Sequence, residues 1–204
     1  MSLSSLAKKF GTDKLSHKYI PHYETIFKDI SNNNLNILEI GVREGWSHLM
    51  WSEYFSNSKI YGIDNFADPV FRKLEKKYDF DSITVFIGDQ TDEKFLNNVI
   101  NFGLDIIIDD GGHKMSHQQL SLKYLFKNLN PNGYYIIEDL HTSQSKNFLD
   151  VPDKKFSTLN LMRALKKGKE INSFFMDKDE IDYIKNNIKS INIYNKKLCI
   201  IQKK

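Results

Sequence analysis

Short apolar runs alternate with longer amphipathic segments along most of the chain. The apolar runs are rich in β-branched and aromatic residues and end at turn residues, which is typical of buried parallel strands. The segments between them repeat apolar residues at helical spacing. The predicted strands span residues 35–41, 59–64, 82–88, 105–109 and 134–138, and the predicted helices span residues 46–55, 69–77, 92–100, 116–129 and 156–167. This alternation predicts a layered α/β domain.

The C-terminal residues follow a different pattern. Residues 189–194 and 197–202 both alternate apolar and polar positions, and Asn195-Lys196 joins them. Two such runs with a short link predict a β-hairpin, so the last strand should run antiparallel to its neighbour. We therefore expect a mostly parallel seven-stranded sheet with an antiparallel C-terminal hairpin.

Composition narrows the class of protein. The 204 residues are 40% hydrophobic and 27% charged, which fits one globular domain. A net charge of +3 with scattered lysines argues against a nucleic-acid partner. No apolar run approaches the roughly 20 residues that a membrane span needs, and residues 1–10 lack a secretory signal, so a cytoplasmic location is predicted. The single cysteine, Cys199, lies in an apolar run and is interpreted as buried and structural.

Two acidic pairs come at the ends of predicted strands. Asp109-Asp110 closes the fourth strand, and Glu138-Asp139 closes the fifth. Adjacent strands lie about 4.8 Å apart, so these carboxyl groups would crowd together and resist joint ionisation. A divalent cation would remove this conflict, and His113 could act as a base beside it. The alternative for His113 is a histidine that only makes hydrogen bonds at the strand end.

A glycine turn follows the first strand, with the spacing Glu39-x-Gly41-x-x-x-Gly45. Glycine there allows a ligand to approach the backbone, and the amides of the next helix lie below. An acidic residue before the glycine opposes a phosphate and suits a cationic ligand. The alternative is a plain strand-to-helix turn.

Acidic residues also end the second and third strands. Asp64 could accept both ribose hydroxyls of a nucleoside, or it could be a helix cap. Asp89 could accept a hydrogen bond from an adenine amino group, or cap the following helix. Asp109 should point to the opposite side from Asp110, where it would face the amine of the ligand or cap a helix.

Together these features resemble a class I S-adenosylmethionine-dependent methyltransferase, in which such a glycine turn, strand-end acids and terminal hairpin occur in this order. The resemblance is closer to the macrocin/mycinamicin-type sugar O-methyltransferases, through motifs that cover most of residues 6–143. These motifs are Phe10-Gly11-Thr12-Asp13-Lys14 with His17 and Tyr19, Leu38-Glu39-Ile40-Gly41-Val42, Ile108-Asp109-Asp110-Gly111-Gly112-His113, and Ile137-Glu138-Asp139-Leu140-His141-Thr142-Ser143. Gln144-Ser145 stands where the family often has a tyrosine or tryptophan.

The resemblance implies a three-layer, Rossmann-like methyltransferase fold, with S-adenosylmethionine as donor and Mg²⁺ or a similar divalent cation as cofactor. It implies that Asp110, Glu138 and Asp139 bind the metal and that His113 is the catalytic base, with Asp110 also placed in the catalytic site. The donor is expected across Glu39, Gly41, Gly45, Asp64, Asp89 and Asp109. The acceptor would be a hydroxyl of a sugar or glycosylated metabolite, and a homo-oligomer is left open.

Three other functions compete with this interpretation. A catechol-type O-methyltransferase would also use a divalent metal. A nicotinamide-dependent sugar oxidoreductase is disfavoured by the glycine spacing and the acidic strand ends. A non-catalytic nucleoside-binding protein would keep the fold without the reaction.

The predicted single domain has four parts. Residues 1–34 form an N-terminal cap or lid, residues 35–141 the cofactor and metal core, residues 142–187 the acceptor-recognition region, and residues 188–204 the terminal hairpin. His17, Tyr19, His22 and Tyr23 lie in the first part, which either covers one sheet edge or contributes to the ligand site. His141 is left open as a supporting residue or a second base.

Overall fold

The computed structural model describes residues 1–78 and 80–204. Its helices are α1 (Leu3–Phe10), α2 (Ile20–Phe27), α3 (Trp46–Tyr54), α4 (Pro69–Glu75), α5 (Glu93–Val99), α6 (Met115–Leu125), α7 (Thr158–Lys167) and α8 (Lys178–Asn186). Its strands are β1 (Asn36–Ile40), β2 (Lys59–Asp64), β3 (Ile83–Ile87), β4 (Leu104–Asp109), β5 (Leu129–Ile137), β6 (Ile188–Tyr194) and β7 (Leu198–Lys203).

The strands form one sheet in the order β3-β2-β1-β4-β5-β7-β6. Strands β1 to β5 pair with one another in parallel, whereas β7 is antiparallel to both β5 and β6. The predicted fold is therefore confirmed, including the C-terminal hairpin. The centre of the sheet is β1, β4 and β5, and their carboxyl ends meet at one edge.

Successive strand residues point to opposite faces, and each face has its own core. On one face, Ile37, Ile108 and Ile136 pack with α1, α2 and α3. On the other face, Leu38 and Ile107 pack with α5, α6, α7 and α8. This two-sided burial explains why the strands are nearly continuous apolar runs. Within the described residues, no helix is long and apolar enough to cross a membrane.

The structure differs locally from the predicted elements. The helix predicted over residues 116–129 ends as α6 at Leu125, and a short 3₁₀ turn follows it. Leu129 then pairs with Leu104, so residues 130–133, which lie between the predicted helix and the predicted strand, form an irregularity inside β5. Helix α8 was not predicted, although Asp177 and Glu180 form a capping box at its start.

Candidate active site

Three carboxylates lie at the carboxyl ends of the central strands. Glu39 is in β1, and Asp110 and Glu138 directly follow β4 and β5. Strand alternation places all three on the face covered by α1, α2 and α3, because Ile108 and Ile136 point to that face. Their oxygens come within 4.8 Å of one another. The crowding predicted for the ends of β4 and β5 is thus confirmed for Asp110 and Glu138.

A cation from the chain itself lies among these carboxylates. The Nζ atom of Lys14 is 2.7 Å from Asp110 Oδ2, 2.7 Å from Glu138 Oε1 and 2.9 Å from Glu39 Oε1. Lys14 is fully buried, at 0% exposure. Glu39 was expected to suit a cationic ligand, whereas the cation beside it in the structure is the ammonium group of Lys14. Sequence reasoning missed the role of Lys14, although the residue lies in one of the motifs quoted above.

The buried charged groups shift one another's pKa values. Burial lowers the pKa of the Lys14 ammonium, but Asp110, Glu138 and Glu39 outweigh it, so that pKa lies well above the ordinary value. Burial also raises the pKa of Glu138, and the charge of Asp110 raises it further. For Glu39, burial is outweighed by Lys14 and His48, which lower its pKa. A charged Lys14 is thus the stable form in this cluster.

Asp139 is the centre of a second polar group. It adopts a left-handed φ of +53°, and its Oδ1 atom accepts a 2.5 Å hydrogen bond from the Tyr19 hydroxyl. His113 Nε2 lies 3.6 Å from Asp139 Oδ2. His17 and His141 place Nδ1 atoms 3.7 and 3.8 Å from Asp139 Oδ1. Three imidazoles therefore surround one carboxylate.

The loops that carry His113 and Asp139 are tied together. His113 also has a left-handed φ, +58°, which is a costly conformation for a residue other than glycine. The Thr142 hydroxyl lies within donor distance of the backbone carbonyl oxygens of both residues, 3.1 Å from that of His113 and 2.8 Å from that of Asp139. Strained backbone held by such contacts is common at functional sites.

Asp110, His113 and Asp139 line a cavity of about 520 Å³, which is within the usual size range of small-molecule sites. Of the predicted site residues, its wall includes Gly41, Gly45, Asp64, Asp89, Asp110, His113 and Asp139. Glu39, Asp109 and Glu138 are not among the lining residues and are at most 1% exposed. The structure thus brings most of the predicted donor, metal and catalytic residues to one cavity.

The glycine turn is shaped by its own neighbours. Gly41 has a φ of +92°, and a Cβ atom there would lie 2.2 Å from the backbone oxygen of Asp110. Asp64 Oδ2 accepts hydrogen bonds from the amides of Val42 and Arg43, at 2.9 and 2.8 Å. Asp64, which was predicted to accept ribose hydroxyls, thus also holds the glycine turn in place through one of its oxygens.

Asp89 and Asp109 differ in their relation to the cavity. Asp89 lines it, and its Oδ1 atom also accepts hydrogen bonds from the Thr91 amide and hydroxyl, both at 2.8 Å. Asp109 points to the other sheet face, as alternation predicted, where the Gln90 amide donates to it at 3.2 Å. Burial raises the pKa of Asp109 to about 7. Neither Asp109 nor Glu39 lines the cavity in this arrangement.

The predicted metal ligands retain free oxygens. Within the described part of the chain, Oδ1 of Asp110, Oε2 of Glu138 and Oδ2 of Asp139 accept no hydrogen bond. Asp110 belongs to two clusters of possible ligands, one with Glu39 and Glu138 and one with His113 and Asp139. Hard carboxylate oxygens of this kind suit Mg²⁺, so the residues present fit a divalent cation.

Two relatives match most of this chain. The mycinamicin VI 2''-O-methyltransferase of Micromonospora griseorubida is 33% identical over 178 residues, which cover 80% of this chain and 43% of that protein. The demethylmacrocin O-methyltransferase of Streptomyces fradiae is 32% identical, with the same coverage. The chain thus spans less than half the length of these relatives. No protein-family model matches the chain.

Solved structures agree with these matches. The methyltransferase MycE of the mycinamycin pathway, in complex with Mg, S-adenosylhomocysteine and mycinamycin VI, is 29% identical with a TM-score of 0.81, covering 100% of this chain and 54% of that one. A caffeoyl-CoA O-methyltransferase described as putative, from Staphylococcus aureus, shares the fold at 15% identity and a TM-score of 0.63, covering 100% of this chain and 93% of that one. By sequence and by fold, the chain belongs to the S-adenosylmethionine-dependent methyltransferases and is related to the macrocin/mycinamicin-type sugar O-methyltransferases.

Proposed function

We propose that this chain transfers a methyl group from S-adenosylmethionine to a sugar hydroxyl of a glycosylated metabolite, with the help of a divalent cation. The observation that carries the proposal is one cavity whose wall combines the Gly41 turn and Asp64 with Asp110, His113 and Asp139. In open α/β sheets, ligands bind at this carboxyl edge of the strands. Donor and acceptor groups would therefore meet in one place.

The donor is proposed to lie along the first three strand ends. Asp64, after β2, and Asp89, after β3, offer carboxylates to hydroxyl and amino groups. The Gly41 turn lets the donor approach the backbone closely. Glu39 and Asp109, which are buried behind the wall, would act by shaping it rather than by touching the donor.

The cation is proposed to be held by Asp110 and Asp139, with Glu138 as the third carboxylate. Each of these three residues has an oxygen without a hydrogen bond from the described residues. When bound, a divalent cation would make an acceptor hydroxyl more acidic and orient it. It would also balance the negative charge that Lys14 alone leaves on the cluster.

His113 is proposed as the base. Its Nδ1 atom is buried without a hydrogen-bond partner among the described residues, so Nε2, 3.6 Å from Asp139, is the nitrogen available for proton transfer. His113 would accept the hydroxyl proton at Nε2 as the hydroxyl oxygen bonds the methyl carbon. The bond from that carbon to sulfur breaks at the same time, and S-adenosylhomocysteine leaves. Asp139 would stabilise the imidazolium that results. The short link through Thr142 keeps this histidine near Asp139.

The acceptor class is inferred from the relatives. Besides the two above, the 8-demethyl-8-(2-methoxy-alpha-L-rhamnosyl)-tetracenomycin-C 3'-O-methyltransferase of Streptomyces olivaceus is 34% identical over 152 residues, covering 69% of this chain and 37% of that protein. The name of this relative describes methylation of a compound that bears a rhamnosyl group. A glycosylated small molecule is therefore the proposed partner, and a cytoplasmic location stays a prediction.

Two binding measurements and one activity measurement test the class of protein. Calorimetry with S-adenosylhomocysteine and with NAD should give binding of the first and none of the second. A panel of glycosides and catechols, incubated with methyl-labelled S-adenosylmethionine, should give labelled glycoside, with label lost on chelation and restored by Mg²⁺. Binding of NAD alone would refute the proposal in favour of an oxidoreductase, and labelling of catechols alone would refute the sugar acceptor.

One matched pair of variants tests the base. His113→Ala should bind S-adenosylhomocysteine as the wild type does but lose turnover about 10²-fold to 10⁴-fold, the usual contribution of general base catalysis. His117→Ala is the control, because His117 is a half-buried neighbour that does not line the cavity. Full turnover by His113→Ala would show that the base assignment is wrong.

A further inference from the structure

Residues of the N-terminal segment contact all three proposed metal carboxylates. Lys14 donates to Asp110 Oδ2 and to Glu138 Oε1, each at 2.7 Å. The Tyr23 hydroxyl donates to the same oxygen of Glu138. The Tyr19 hydroxyl donates to Asp139 Oδ1 at 2.5 Å. These contacts come from α2 and the turn before it, which are more than 80 residues away from the carboxylates in the chain.

The three carboxylates are contacted in the same way. One oxygen of each is engaged by the N-terminal segment, and the other accepts no hydrogen bond from the described residues. A carboxylate with one oxygen fixed has a restricted rotation about its last side-chain bond, so its second oxygen has a restricted direction. We propose, resting on the function proposed above, that Lys14, Tyr19 and Tyr23 are positioning residues that present one oxygen of each carboxylate to the divalent cation.

The two tyrosines are well anchored for this role. Tyr19 and Tyr23 are 2% and 0% exposed. The Tyr23 ring stacks on Phe27 at 5.5 Å and meets the edge of Trp51 at 5.3 Å, so aromatic packing fixes where its hydroxyl lies. The Tyr19 hydroxyl also accepts a hydrogen bond from the Asp139 amide at 3.3 Å, which fixes the side chain and the backbone of Asp139 together.

Lys14 holds the carboxyl ends of two strands close together. Asp110 follows β4 and Glu138 follows β5, and one ammonium group bonds both. The third contact of this ammonium, with Glu39, connects the pair to β1. Without Lys14, like charges on adjacent strand ends would repel each other and turn apart. The ammonium therefore holds the carboxylates close, which is the arrangement that a shared cation needs.

The test measures cation binding directly, because activity alone would not separate positioning from chemistry. Mn²⁺ is titrated into the full chain, and free Mn²⁺ is followed by electron paramagnetic resonance. Tyr19→Phe, Tyr23→Phe and Lys14→Met should each weaken Mn²⁺ binding by about tenfold or more, as expected for residues that orient metal ligands. S-adenosylhomocysteine affinity should stay within about twofold in the tyrosine variants, because their hydroxyls bond Asp139 and Glu138 rather than the strand ends proposed for the donor.

Two control variants remove similar groups elsewhere. Tyr135→Phe deletes a buried hydroxyl that has no hydrogen-bond partner among the described residues. Lys203→Met deletes a buried ammonium that donates to the backbone oxygens of Phe126 and Leu129, at 3.1 and 2.6 Å. Both controls should bind Mn²⁺ as the wild type does, even where their unfolding midpoints fall.

The outcomes separate the two proposals. If the wild type binds no Mn²⁺, both the metal-dependent function and the positioning role are overturned. If the wild type and both tyrosine variants bind Mn²⁺ equally, only the positioning role is overturned. Tighter binding by Lys14→Met would show that the ammonium competes with the cation and would also overturn it. Should Lys14→Met fail to fold, the tyrosine variants decide, since they keep their rings.

Discussion

The contact between the Gly41 turn and Asp110 allows a quantitative prediction for Gly41→Ala. A Cβ atom at this position would lie 2.2 Å from the Asp110 backbone oxygen and 2.8 Å from its carbonyl carbon, whereas ordinary contact begins at 3.4 Å. The ends of β1 and β4 would have to separate by about 1 Å to restore a normal contact. Neither partner can move as a flexible side chain would, because both are backbone.

Two costs are expected from this substitution. Alanine at a φ of +92° carries backbone strain of about 1–3 kcal/mol. The forced separation of the strand ends adds to that strain, so the free energy of unfolding should fall by about 2–4 kcal/mol. Asp110 would also move by about 1 Å, and a displacement of this size at a reacting centre lowers turnover by about 10²-fold.

Gly168→Ala is the matched control. Gly168 ends α7 with a φ of +61°, and a Cβ atom built there meets nothing within 4 Å. This variant should lose only the conformational cost, about 1 kcal/mol, and keep full activity. Urea denaturation gives the free energies of unfolding, and label transfer from S-adenosylmethionine gives the turnover. Equal stability losses in the two variants, or full turnover by Gly41→Ala, would refute the reasoning.

Three further predictions concern the core around the site. Gln90→Leu should lower the free energy of unfolding by about 2–5 kcal/mol in urea, because the Gly112 amide and Asp109 would lose buried hydrogen bonds; a loss below about 1 kcal/mol would contradict this. Cys199 should not react with a thiol reagent until the protein unfolds, because it is buried and burial raises the pKa of its thiol; stoichiometric labelling of the native protein would show otherwise. Trp51→Phe should lower the free energy of unfolding, measured in urea, by less than about 1.5 kcal/mol, because the buried indole N–H has no hydrogen-bond partner to lose among the described residues. Trp51→Ala removes the whole ring and should lower it by about 3–5 kcal/mol. Similar losses in the two variants would contradict this prediction.

The strands and the edge where the site lies could be predicted because both depend on local pattern. Buried parallel strands must be apolar on both faces, which makes residues such as Ile106–Ile108 conspicuous. The acids that interrupt this pattern mark the strand ends. Alternation then placed Asp109 and Asp110 on opposite faces, as the structure confirms.

Local pattern failed where a backbone irregularity or a long-range contact was involved. The Asn130–Gly133 segment has the residues of a turn, yet pairing of Leu129 with Leu104 includes it in β5. The positions of Glu39 and Asp109 relative to the cavity could not be predicted either, because a strand-end acid near a glycine turn can line a cavity or lie buried behind its wall. Their burial depends on which helices cover each sheet face.

The amino-acid order was enough to specify the α/β architecture, the antiparallel ending and the acidic edge, since hydrophobic spacing and turn chemistry are properties of neighbouring residues. Only the tertiary structure decided which groups those acids contact. Lys14 and Tyr19 lie far from Asp110 and Asp139 along the chain, and they meet only because α1 and α2 pack over the carboxyl ends of the central strands. No periodicity encodes such a contact, because it arises from how two separately predictable elements are arranged in space.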